Sequence, residues 1–524
     1  MPQETELKLS LLPVDRRRLL AHPLLRAQAT ERLHLRNTYF DTPALALMAQ
    51  RIAVRERRIG RQTLLTVKTA GNSVGGLSQR GEWEGPTRSG AFDFAALVDD
   101  AALAETLGAL AGQLVPVFRT DFLRLRWVIN HAGASIELAL DEGTVSTDVD
   151  APKGSQQQAL LELELELLSG PVDALLDLAH TLALGPEGDI SSGLWLYPST
   201  RSKAERGLDL FLGRQPGAAR SEPLRLAPDA SPVQAFAAAA LNSLDQLQAN
   251  LSPWLMADEA ALEAPSEIET GRGVARDPEF VHQARVALRR LRTSLRVFAP
   301  FLPPRFTRHW NARWKATATL LGTQRNWDVF ATDGLPRLLG DALAQPEWQP
   351  MQAWVNAQRH AAHQATRAAL HQPEHALDLL AFTRAVLVLP TGLPAGKGQP
   401  LTRWARRALR RQHTRLVRQA RAALREGPEA RHALRLQVKR LRYTLDALSS
   451  LLAPDATADS SAALNRAQNA LGELNDLSTA QTLLADCPLP EREALLARID
   501  TELTRRLPGL PRLERALLRS PPAG

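Results

Sequence analysis

The sequence contains a single cysteine, Cys487, among 524 residues. One thiol cannot form an intramolecular disulfide, and it cannot build a zinc site that needs several cysteines. Aromatic residues make up only 5% of the chain, so the base-stacking platforms of many nucleic-acid-binding proteins are poorly supplied. No apolar run approaches the roughly 18 residues that a membrane-spanning helix requires, and the N-terminus has no basic segment followed by an apolar run. These absences predict a cytoplasmic protein without a membrane partner.

Length and charge divide the chain into two parts. A chain of 524 residues is longer than one ordinary core allows, so two or three domains are expected. Residues 1–210 carry 22 Lys and Arg against 27 Asp and Glu, whereas the remainder carries 42 against 29. An acidic part and a basic part predict two different functions. The stretch 213–232, rich in Pro, Gly and Ala, lies at this change and is the predicted linker between domains at 1–212 and 233–518.

The first part repeatedly alternates charged and apolar side chains. Glu4, Glu6 and Lys8 occupy every second position, and LLELELELLSG (160–170) places three glutamates on one face and leucines on the other. Such alternation predicts antiparallel β-strands. Carboxylates in a row along one strand face repel one another, and the apolar faces also need burial. A closed barrel with a charged interior and a covered exterior meets both requirements.

A charged interior has two interpretations. Arg and Lys can neutralise the glutamates by pairing with them, because unpaired buried charge is very costly. Alternatively, the basic residues bind a polyanion while the carboxylates hold divalent metal ions. Carboxylate oxygens suit Mg²⁺ or Mn²⁺, and the arginine fork matches the geometry of phosphate. The pattern alone leaves both interpretations open.

Short motifs in a fixed order add a resemblance to a known family. In chain order they are ExExK at 4–8, YFDT at 39–42, RxR at 55–57, TVK at 66–68, RxExE at 80–84, RxxW at 124–127, ExE at 162–164 and SKxxRG at 202–207. Together they resemble the CYTH, or triphosphate tunnel metalloenzyme, superfamily over roughly residues 1–210. The resemblance implies a tunnel of antiparallel strands that hydrolyses a triphosphate with the aid of Mg²⁺ or Mn²⁺.

The resemblance also implies a role for each matching side chain. The implied metal ligands are Glu4, Glu6, Asp141, Glu162 and Glu164. The implied substrate-binding residues are Lys8, Arg55, Arg57, Lys68, Arg80, Arg124 and Lys203. Catalytic roles fall to Glu4, Glu6, Lys8 and Glu164. Glu82 and Glu84 would orient the basic residues, and the role of Glu166, as ligand, water-positioning group or neither, stays open.

Helical periodicity replaces the strand alternation after residue 232. His282, Arg285, Arg289 and Arg292 recur 150 residues later as His432, Arg435, Lys439 and Arg442. This internal duplication has copies at about 233–388 and 401–518, with 388–400 as the joint, and predicts two helical bundles. The predicted fold class is therefore α+β and multidomain: an N-terminal closed antiparallel β-barrel plus a C-terminal all-α domain.

The second part is also one-sided in charge. Residues 403–442 contain 14 Lys and Arg and only two Glu. A solvated helix face is one interpretation, and a bound polyanion is the other. Without interleaved aromatics, a phosphate chain fits better than nucleic acid.

The repeated His-Arg element resembles the CHAD domain over roughly residues 230–515. That resemblance implies two four-helix bundles in a pseudo-twofold relation. It also implies binding of inorganic polyphosphate by His282, Arg285, Arg289, Arg292, His432, Arg435, Lys439 and Arg442. Asn326 stands where the family pattern has an Asp, so no role is assigned there.

The two resemblances together favour a metal-dependent enzyme that cuts inorganic triphosphate to pyrophosphate and phosphate, with a polyphosphate-binding domain attached. One alternative is a non-catalytic protein that senses polyphosphate. Another is a triphosphatase that acts on thiamine or nucleoside triphosphates. The presence of both acidic pairs and every cationic position favours the enzyme, because an anion-binding protein does not need metal-facing carboxylates.

Overall fold

The computed structural model describes residues 3–148, 150–185, 188–227, 229–257, 274, 277–390, 400–423, 427–452 and 455–519. These residues divide into two compact units. The first unit is formed by the described parts of Met1–Ala219, Gln248–Asp277 and Leu370–Val388, and the second by those of Arg220–Leu247, Pro278–Ala369 and Leu389–Gly524. The first unit thus takes two segments from the later part of the sequence. Most of the predicted joint at 388–400 lies outside the described residues.

Antiparallel strands of the first unit close into a barrel. They are β1 Gln3–Leu11, β2 Glu31–Asp41, β3 Ala53–Ile59, β4 Gln62–Lys68, β5 Asn72–Val74, β6 Leu77–Pro86, β7 Val115–His131, β8 Ala134–Ser146, β9 Gln157–Ser169 and β10 Leu196–Pro198. Their order is β10-β1-β9-β8-β7-β2-β3-β4-β6-β5, and β1 also pairs with β6. That pairing closes a ring of eight strands, to which β5 and β10 are attached. The predicted closed antiparallel barrel is confirmed.

The helices fall into two groups along the chain. Up to residue 219 they are α1 Arg16–Leu20, α2 Pro23–Arg26, α3 Ala46–Ala49, α4 Phe94–Leu97, α5 Ala101–Leu110, α6 Asp173–Ala183 and α7 Lys203–Leu212. Beyond it they are α8 Pro232–Met256, α9 Pro278–Val297, α10 Pro304–Val329, α11 Leu335–Leu339, α12 Gln349–Leu370, α13 Pro373–Leu387, α14 Leu401–Ala423, α15 Pro428–Leu448, α16 Asp455–Leu483, α17 Glu491–Arg506 and α18 Leu510–Arg519. None of these described helices has the length and apolar character needed to cross a membrane.

The alternation along the strands sends charge inward and leucine outward. Leu7 and Leu9 on β1 and Leu163 and Leu165 on β9 have no exposed surface. They share one apolar core with the buried face of α6. Because successive side chains of a strand point to opposite faces, burying these leucines outside the ring directs the intervening glutamates and lysine into it.

Helix α13 supplies a further part of the outer cover. Leu377 and Leu380 lie in the same apolar core as the strand leucines. Arg384 contacts α6, with its Nε 3.4 Å from Asp173 and a closer ion pair to Asp177. The apolar exterior that the sequence predicts is therefore buried in part by a helix that lies almost 200 residues further along the chain.

The helical duplication is visible in the helix boundaries. Helix α9 begins at Pro278 and α15 at Pro428, an offset of 150 residues. Each is followed by a long helix, α10 or α16, and α9 packs against both α10 and α15. The basic positions of the two copies therefore lie on helices that are in contact.

Candidate active site

Glu4 and Glu6 on β1 lie inside the barrel and are paired with basic side chains. Each oxygen of Glu4 accepts a 2.9 Å hydrogen bond from Lys68 Nζ, and one also accepts from Arg80 Nε at 3.0 Å. Glu6 accepts from Arg80 Nη2 at 2.5 Å and from Lys8 Nζ. The two predicted metal ligands of β1 are thus neutralised by lysine and arginine.

The other three predicted metal ligands converge on one point. Asp141 on β8 lies opposite Glu162 on β9, and carboxylate oxygens of Asp141, Glu162 and Glu164 lie within 4.8 Å of one another. Lys203 Nζ is 2.7 Å from Asp141 and 3.0 Å from Glu164, and it also donates to Glu162. Arg124 on β7 donates two 2.7 Å hydrogen bonds to Asp141 and one to Glu164. We call these three carboxylates the acidic trio.

The first turn of α7 fixes the position of Lys203. The Ser202 hydroxyl accepts from Glu205 N at 3.2 Å, and the Glu205 carboxylate accepts from Ser202 N at 2.8 Å. This reciprocal capping box sets the start of the helix, and Lys203 is its first residue. One turn on, a Cβ at Gly207 would lie 2.1 Å from the ring of Phe118, so only glycine lets the helix approach the barrel this closely.

Burial and neighbouring cations act in opposite directions on the acidic trio. Burial raises the pKa of Glu162, and Lys203 only partly offsets it. For Glu164 the effect of burial is outweighed by Lys203 and Arg124, which hold the pKa of that carboxyl well below its usual range. Burial alone would lower the pKa of Lys203, but the three carboxylates raise it above that of an ordinary lysine. The acidic trio therefore requires positive charge close to it.

The donors of the acidic trio fit a hard divalent cation. Mg²⁺ and Mn²⁺ prefer carboxylate oxygens and commonly complete their shells with phosphate oxygens and water. Asp141 has no exposed surface and Glu162 little, whereas Glu164 faces the barrel cavity. One ligand of the trio is thus accessible to a phosphate group inside the barrel.

Arg55 and Arg57 on β3 form a predominantly basic part of the wall. Arg55 Nη2 lies 3.7 Å from Glu82 and 3.6 Å from Glu84, and its buried Nε has no hydrogen-bond partner among the described residues. Arg57 lies 3.4 Å from Glu84. Burial and the adjacent Arg55 lower the pKa of Arg57 to about 10. Such long ion pairs leave guanidinium donors for an anionic ligand.

The walls enclose a cavity of about 610 Å³. The predicted residues that line it are Glu4, Lys8, Arg55, Arg57, Lys68, Arg80, Arg124, Glu164 and Lys203. Glu6, Asp141 and Glu162 are buried and do not line it. The register of the barrel thus brings most of the residues chosen from the motifs to one space.

Glu166 lines the same cavity and extends its acidic side. It lies opposite Glu6 on β1 and Glu137 on β8. Burial, together with Glu4, Glu137 and Glu82, raises the pKa of Glu166 to about 7. Unlike Glu164, it has no ion-pair partner in the described part of the chain. The acidic row of β9 therefore combines a carboxylate held ionised by cations with one that is half-protonated near neutral pH.

The cavity is also lined by Glu137, Tyr39 and Phe122, for which no role was predicted from the sequence. Lys203 Nζ lies over the Phe122 ring, 5.3 Å from its centroid, and makes a cation–π interaction with it. A signal for each was present: Glu137 is four residues before Asp141 on one strand face, Phe122 is two before Arg124, and Tyr39 opens the YFDT motif.

Five of the predicted polyphosphate-binding residues line one cavity of about 430 Å³ in the second unit. They are His282, Arg285 and Arg289 on α9 and Arg435 and Lys439 on α15. The other three do not line it: Arg292 lies 3.3 Å from Asn311, Arg442 lies 4.0 Å from Asp446, and His432 is exposed. We call this space the helical cavity.

The basic side chains of the helical cavity crowd one another. Burial and the nearby Arg289, Arg435 and Arg285 lower the pKa of Lys439 to about 6. The Nε atoms of Arg289 and Arg435 are buried without a hydrogen-bond partner among the described residues. A bound anion would relieve this repulsion and satisfy these donors.

Two domain families match the two parts of the chain. Residues 2–191 match the CYTH domain and residues 238–485 match the CHAD domain. An inorganic triphosphatase of Haemophilus influenzae is 33% identical over 220 residues, which is 40% of this chain and 54% of that protein, so the chain spans about half the length of this relative. The crystal structure of the CHAD domain from the plant Ricinus communis matches 59% of this chain and 99% of that chain, at 25% identity and a TM-score of 0.50. Both resemblances drawn from the motifs are confirmed.

Proposed function

We propose that this chain, a CYTH domain followed by a CHAD domain, hydrolyses inorganic triphosphate to pyrophosphate and phosphate in its barrel. The observation that carries the proposal is a cavity of about 610 Å³ that Arg55, Arg57 and Lys68 line together with Glu164, the accessible member of the acidic trio. A protein that only binds anions does not require converging carboxylates, because they oppose the anion. The relative from Haemophilus influenzae, named an inorganic triphosphatase, supports the same reaction.

The basic side chains of the cavity would bind the substrate. Arg55 and Arg57 have guanidinium donors that the carboxylates do not satisfy, and these donors suit terminal phosphate oxygens. Lys8 lies 3.9 Å from Glu164, so a phosphate bound by this lysine would lie close to the accessible member of the acidic trio. Lys8 would stabilise the charge that develops on the leaving phosphate.

A divalent ion, Mg²⁺ or Mn²⁺, would be held by the acidic trio and would supply Lewis acidity toward the phosphoryl group. Glu4 and Glu6 complete the proposed set of metal ligands. Lys68 and Arg80 donate to Glu4, and Arg80 and Lys8 donate to Glu6. A substrate that took over these three cations would leave both carboxylates of β1 available as ligands.

The helical cavity is the proposed site for inorganic polyphosphate. Its unsatisfied Nε atoms and the lowered pKa of Lys439 both favour a polyanion. Arg292, His432 and Arg442 would contact a chain long enough to extend beyond the cavity. The proposal includes a cytoplasmic location, which the single cysteine favours.

One experiment separates this proposal from its two alternatives. The full chain is incubated with inorganic triphosphate, thiamine triphosphate or ATP, each with Mg²⁺, with Mn²⁺ and with excess EDTA, and phosphate release is measured. We expect the highest kcat/KM with inorganic triphosphate and no release with EDTA. A higher kcat/KM with thiamine triphosphate or ATP would favour the alternative that the chain acts on thiamine or nucleoside triphosphates. Binding of a substrate without release of phosphate from any of them would favour the non-catalytic sensing protein.

A further inference from the structure

A second cavity, of about 430 Å³, adjoins the cavity of the proposed reaction. The two spaces share Lys8, Lys68 and Arg80 among their lining residues. These three side chains therefore form the boundary between a first chamber, which Glu164 lines, and a second chamber, which Arg51 lines. A ligand that contacts the boundary from the first chamber can extend past it into the second.

The second chamber offers hydroxyl groups and no aromatic ring among its described lining residues. The hydroxyls belong to Thr69, Ser73, Ser78, Ser199, Thr200 and Ser202, the last of which caps α7. A nucleoside normally needs a stacking surface for its base, and this lining has none. Hydroxyls are instead suitable donors to the oxygens of a phosphate chain.

The carboxylates of the second chamber already have partners. Glu205 accepts from the Ser202 backbone in the cap of α7, and Asp209 pairs with Arg201. Arg51 and Arg214 also line the chamber, and both are exposed. Neither lies within ion-pair distance of a described carboxylate, although Arg214 is near enough to Asp209 to act against the burial that raises the pKa of that carboxyl. The uncompensated charge of the second chamber is thus positive.

The backbone that lines the second chamber is conformationally constrained. Arg51 has φ of 57°, a left-handed conformation that is unfavourable for a residue with a side chain and is often retained at ligand sites. A Cβ at Gly71 would lie 2.2 Å from the Gln79 carbonyl oxygen, and one at Gly76 would lie 2.8 Å from Pro198. Close packing therefore fixes the wall near which the Arg51 side chain emerges.

We infer that the second chamber is a subsite for the phosphates of a linear polyphosphate that extend beyond those held in the first chamber. This inference rests on the proposed triphosphatase function and names a wider substrate class for it, linear inorganic polyphosphates of four or more phosphates. Each added phosphate brings further anionic oxygens, for which Arg51, Arg214 and the hydroxyls are the matching donors.

Inorganic tetraphosphate is the shortest substrate that would use both chambers. The oxygen of one water forms a bond to a phosphorus in the first chamber, and the bridging P–O bond to the next phosphate breaks. The bridging oxygen leaves with the electron pair and takes up a proton. Tetraphosphate and water give triphosphate and phosphate, or two pyrophosphates, and no other reactant is required.

The kinetic test compares tetraphosphate with triphosphate on the full chain. We expect the double variant R51A/R214A to lose about tenfold in kcat/KM for tetraphosphate, the loss of a charge-assisted contact, while kcat/KM for triphosphate stays within about twofold. The matched control is R61A/R88A, which removes two exposed arginines that line neither chamber, and it should change neither value. An equal loss for both substrates in R51A/R214A, or no loss for tetraphosphate, overturns the inference.

Calorimetric binding without metal separates failure of this inference from failure of the proposed function. All samples carry R435A/K439A, which removes two basic residues of the proposed polyphosphate site in the helical cavity. In that background we expect the parent to bind tetraphosphate more tightly than triphosphate, and R51A/R214A to bind both equally. The charge-reversing variant R51E/R214E should bind tetraphosphate more weakly than triphosphate. Equal affinities in the parent overturn the second-chamber subsite even if triphosphate is hydrolysed. Failure to hydrolyse triphosphate, with the affinity difference intact, overturns only the proposed function.

Discussion

Glu164 is the residue at which the proposed metal-binding and phosphate-binding sides of the barrel meet. Its carboxylate contacts Arg124 at 2.7 Å and Lys203 at 3.0 Å, lies within the acidic trio and lines the cavity. Asp141 also contacts Arg124 and Lys203 and belongs to the acidic trio, and Glu162 contacts Lys203 and belongs to the trio. Neither of them lines the cavity. A change at Glu164 therefore affects both the proposed metal ion and the proposed substrate.

We expect E164Q to lower kcat for triphosphate by at least about a hundredfold, because the amide keeps the shape of the side chain but removes a negative charge from the metal site. The measurement is phosphate release at saturating Mg²⁺ and Mn²⁺. The matched control is E142Q, which removes an exposed carboxylate paired with Arg16 at 2.7 Å on the same barrel. Parent-like turnover by E164Q would contradict the metal assignment.

Arg55 tests the basic side of the cavity. We expect R55A to weaken triphosphate binding about tenfold or more, since a buried guanidinium with an unsatisfied Nε loses its phosphate contact, and to leave metal binding unchanged or tighter. Calorimetry with triphosphate and with Mn²⁺ measures both. R119A is the control, because Arg119 is an exposed barrel arginine paired with Asp148. If R55A binds triphosphate as the parent does, Arg55 only neutralises Glu82 and Glu84.

The sequence predicted which side chains face the interior, but it did not predict their partners. Period-2 alternation is a local property, so Glu162, Glu164 and Glu166 were assigned to one face from eleven residues of sequence. The contact of Lys203 with Asp141 depends on the register of β8 and on the seating of α7, which join residues 62 positions apart. Pairing of this kind follows from strand register and not from a motif.

At the scale of elements, helix α13 has a role that its sequence did not reveal. Helix α13 is mostly apolar and has buried side chains around most of its circumference. Such a pattern shows that a helix is buried without showing what buries it. We predicted it as part of the first helical repeat, and the structure packs Leu377 and Leu380 against the barrel core. The strand leucines, in contrast, were correctly predicted to need an outer cover.

The cover can be tested by a pair of substitutions within α13. Leu380 has no exposed surface, so we expect L380A to lower the free energy of unfolding by about 2–4 kcal/mol through lost burial and a residual cavity. Leu387 on the same helix is 44% exposed, and L387A should cost less than about 0.5 kcal/mol. Urea unfolding measures the difference when it is followed by the fluorescence of a barrel tryptophan, with the tryptophans outside the barrel replaced. Equal, small effects would show that α13 does not stabilise the barrel.

The contact between α9 and α15 predicts a pH dependence. Free Lys439 has its pKa lowered to about 6 by burial and by Arg289, Arg435 and Arg285, and Asp476 is the acidic group that opposes this shift. A bound polyanion favours protonated Lys439, so binding takes up a proton above pH 6. Affinity for polyphosphate should therefore fall as the pH rises from 6 toward 9.

Replacing Lys439 with arginine provides the control for that pH dependence. The guanidinium stays charged across this range, so K439R should bind with a flatter pH profile and a smaller proton uptake. Calorimetry in two buffers of different ionisation enthalpy measures the protons taken up. Identical profiles for the parent and K439R would show that Lys439 does not titrate on binding.

At the scale of the whole molecule, the order of the sequence and the division into compact units differ. The predicted linker at 213–232 remains a prediction, but the first unit also includes Gln248–Asp277 and Leu370–Val388 from beyond it. Composition and charge change once along the chain, so they predicted one boundary. Helix α13 is more apolar than α12 or α14, but composition does not show which core an apolar helix joins.

The most direct test of the central claim, that the barrel is a metal-dependent triphosphatase, is ³¹P NMR of inorganic triphosphate incubated with the full chain. With Mg²⁺ or Mn²⁺ we expect each triphosphate lost to yield one pyrophosphate and one phosphate, and EDTA to stop the conversion. Persistence of triphosphate with both metals, in a sample shown by calorimetry to bind it, would show that the barrel is not a metal-dependent triphosphatase.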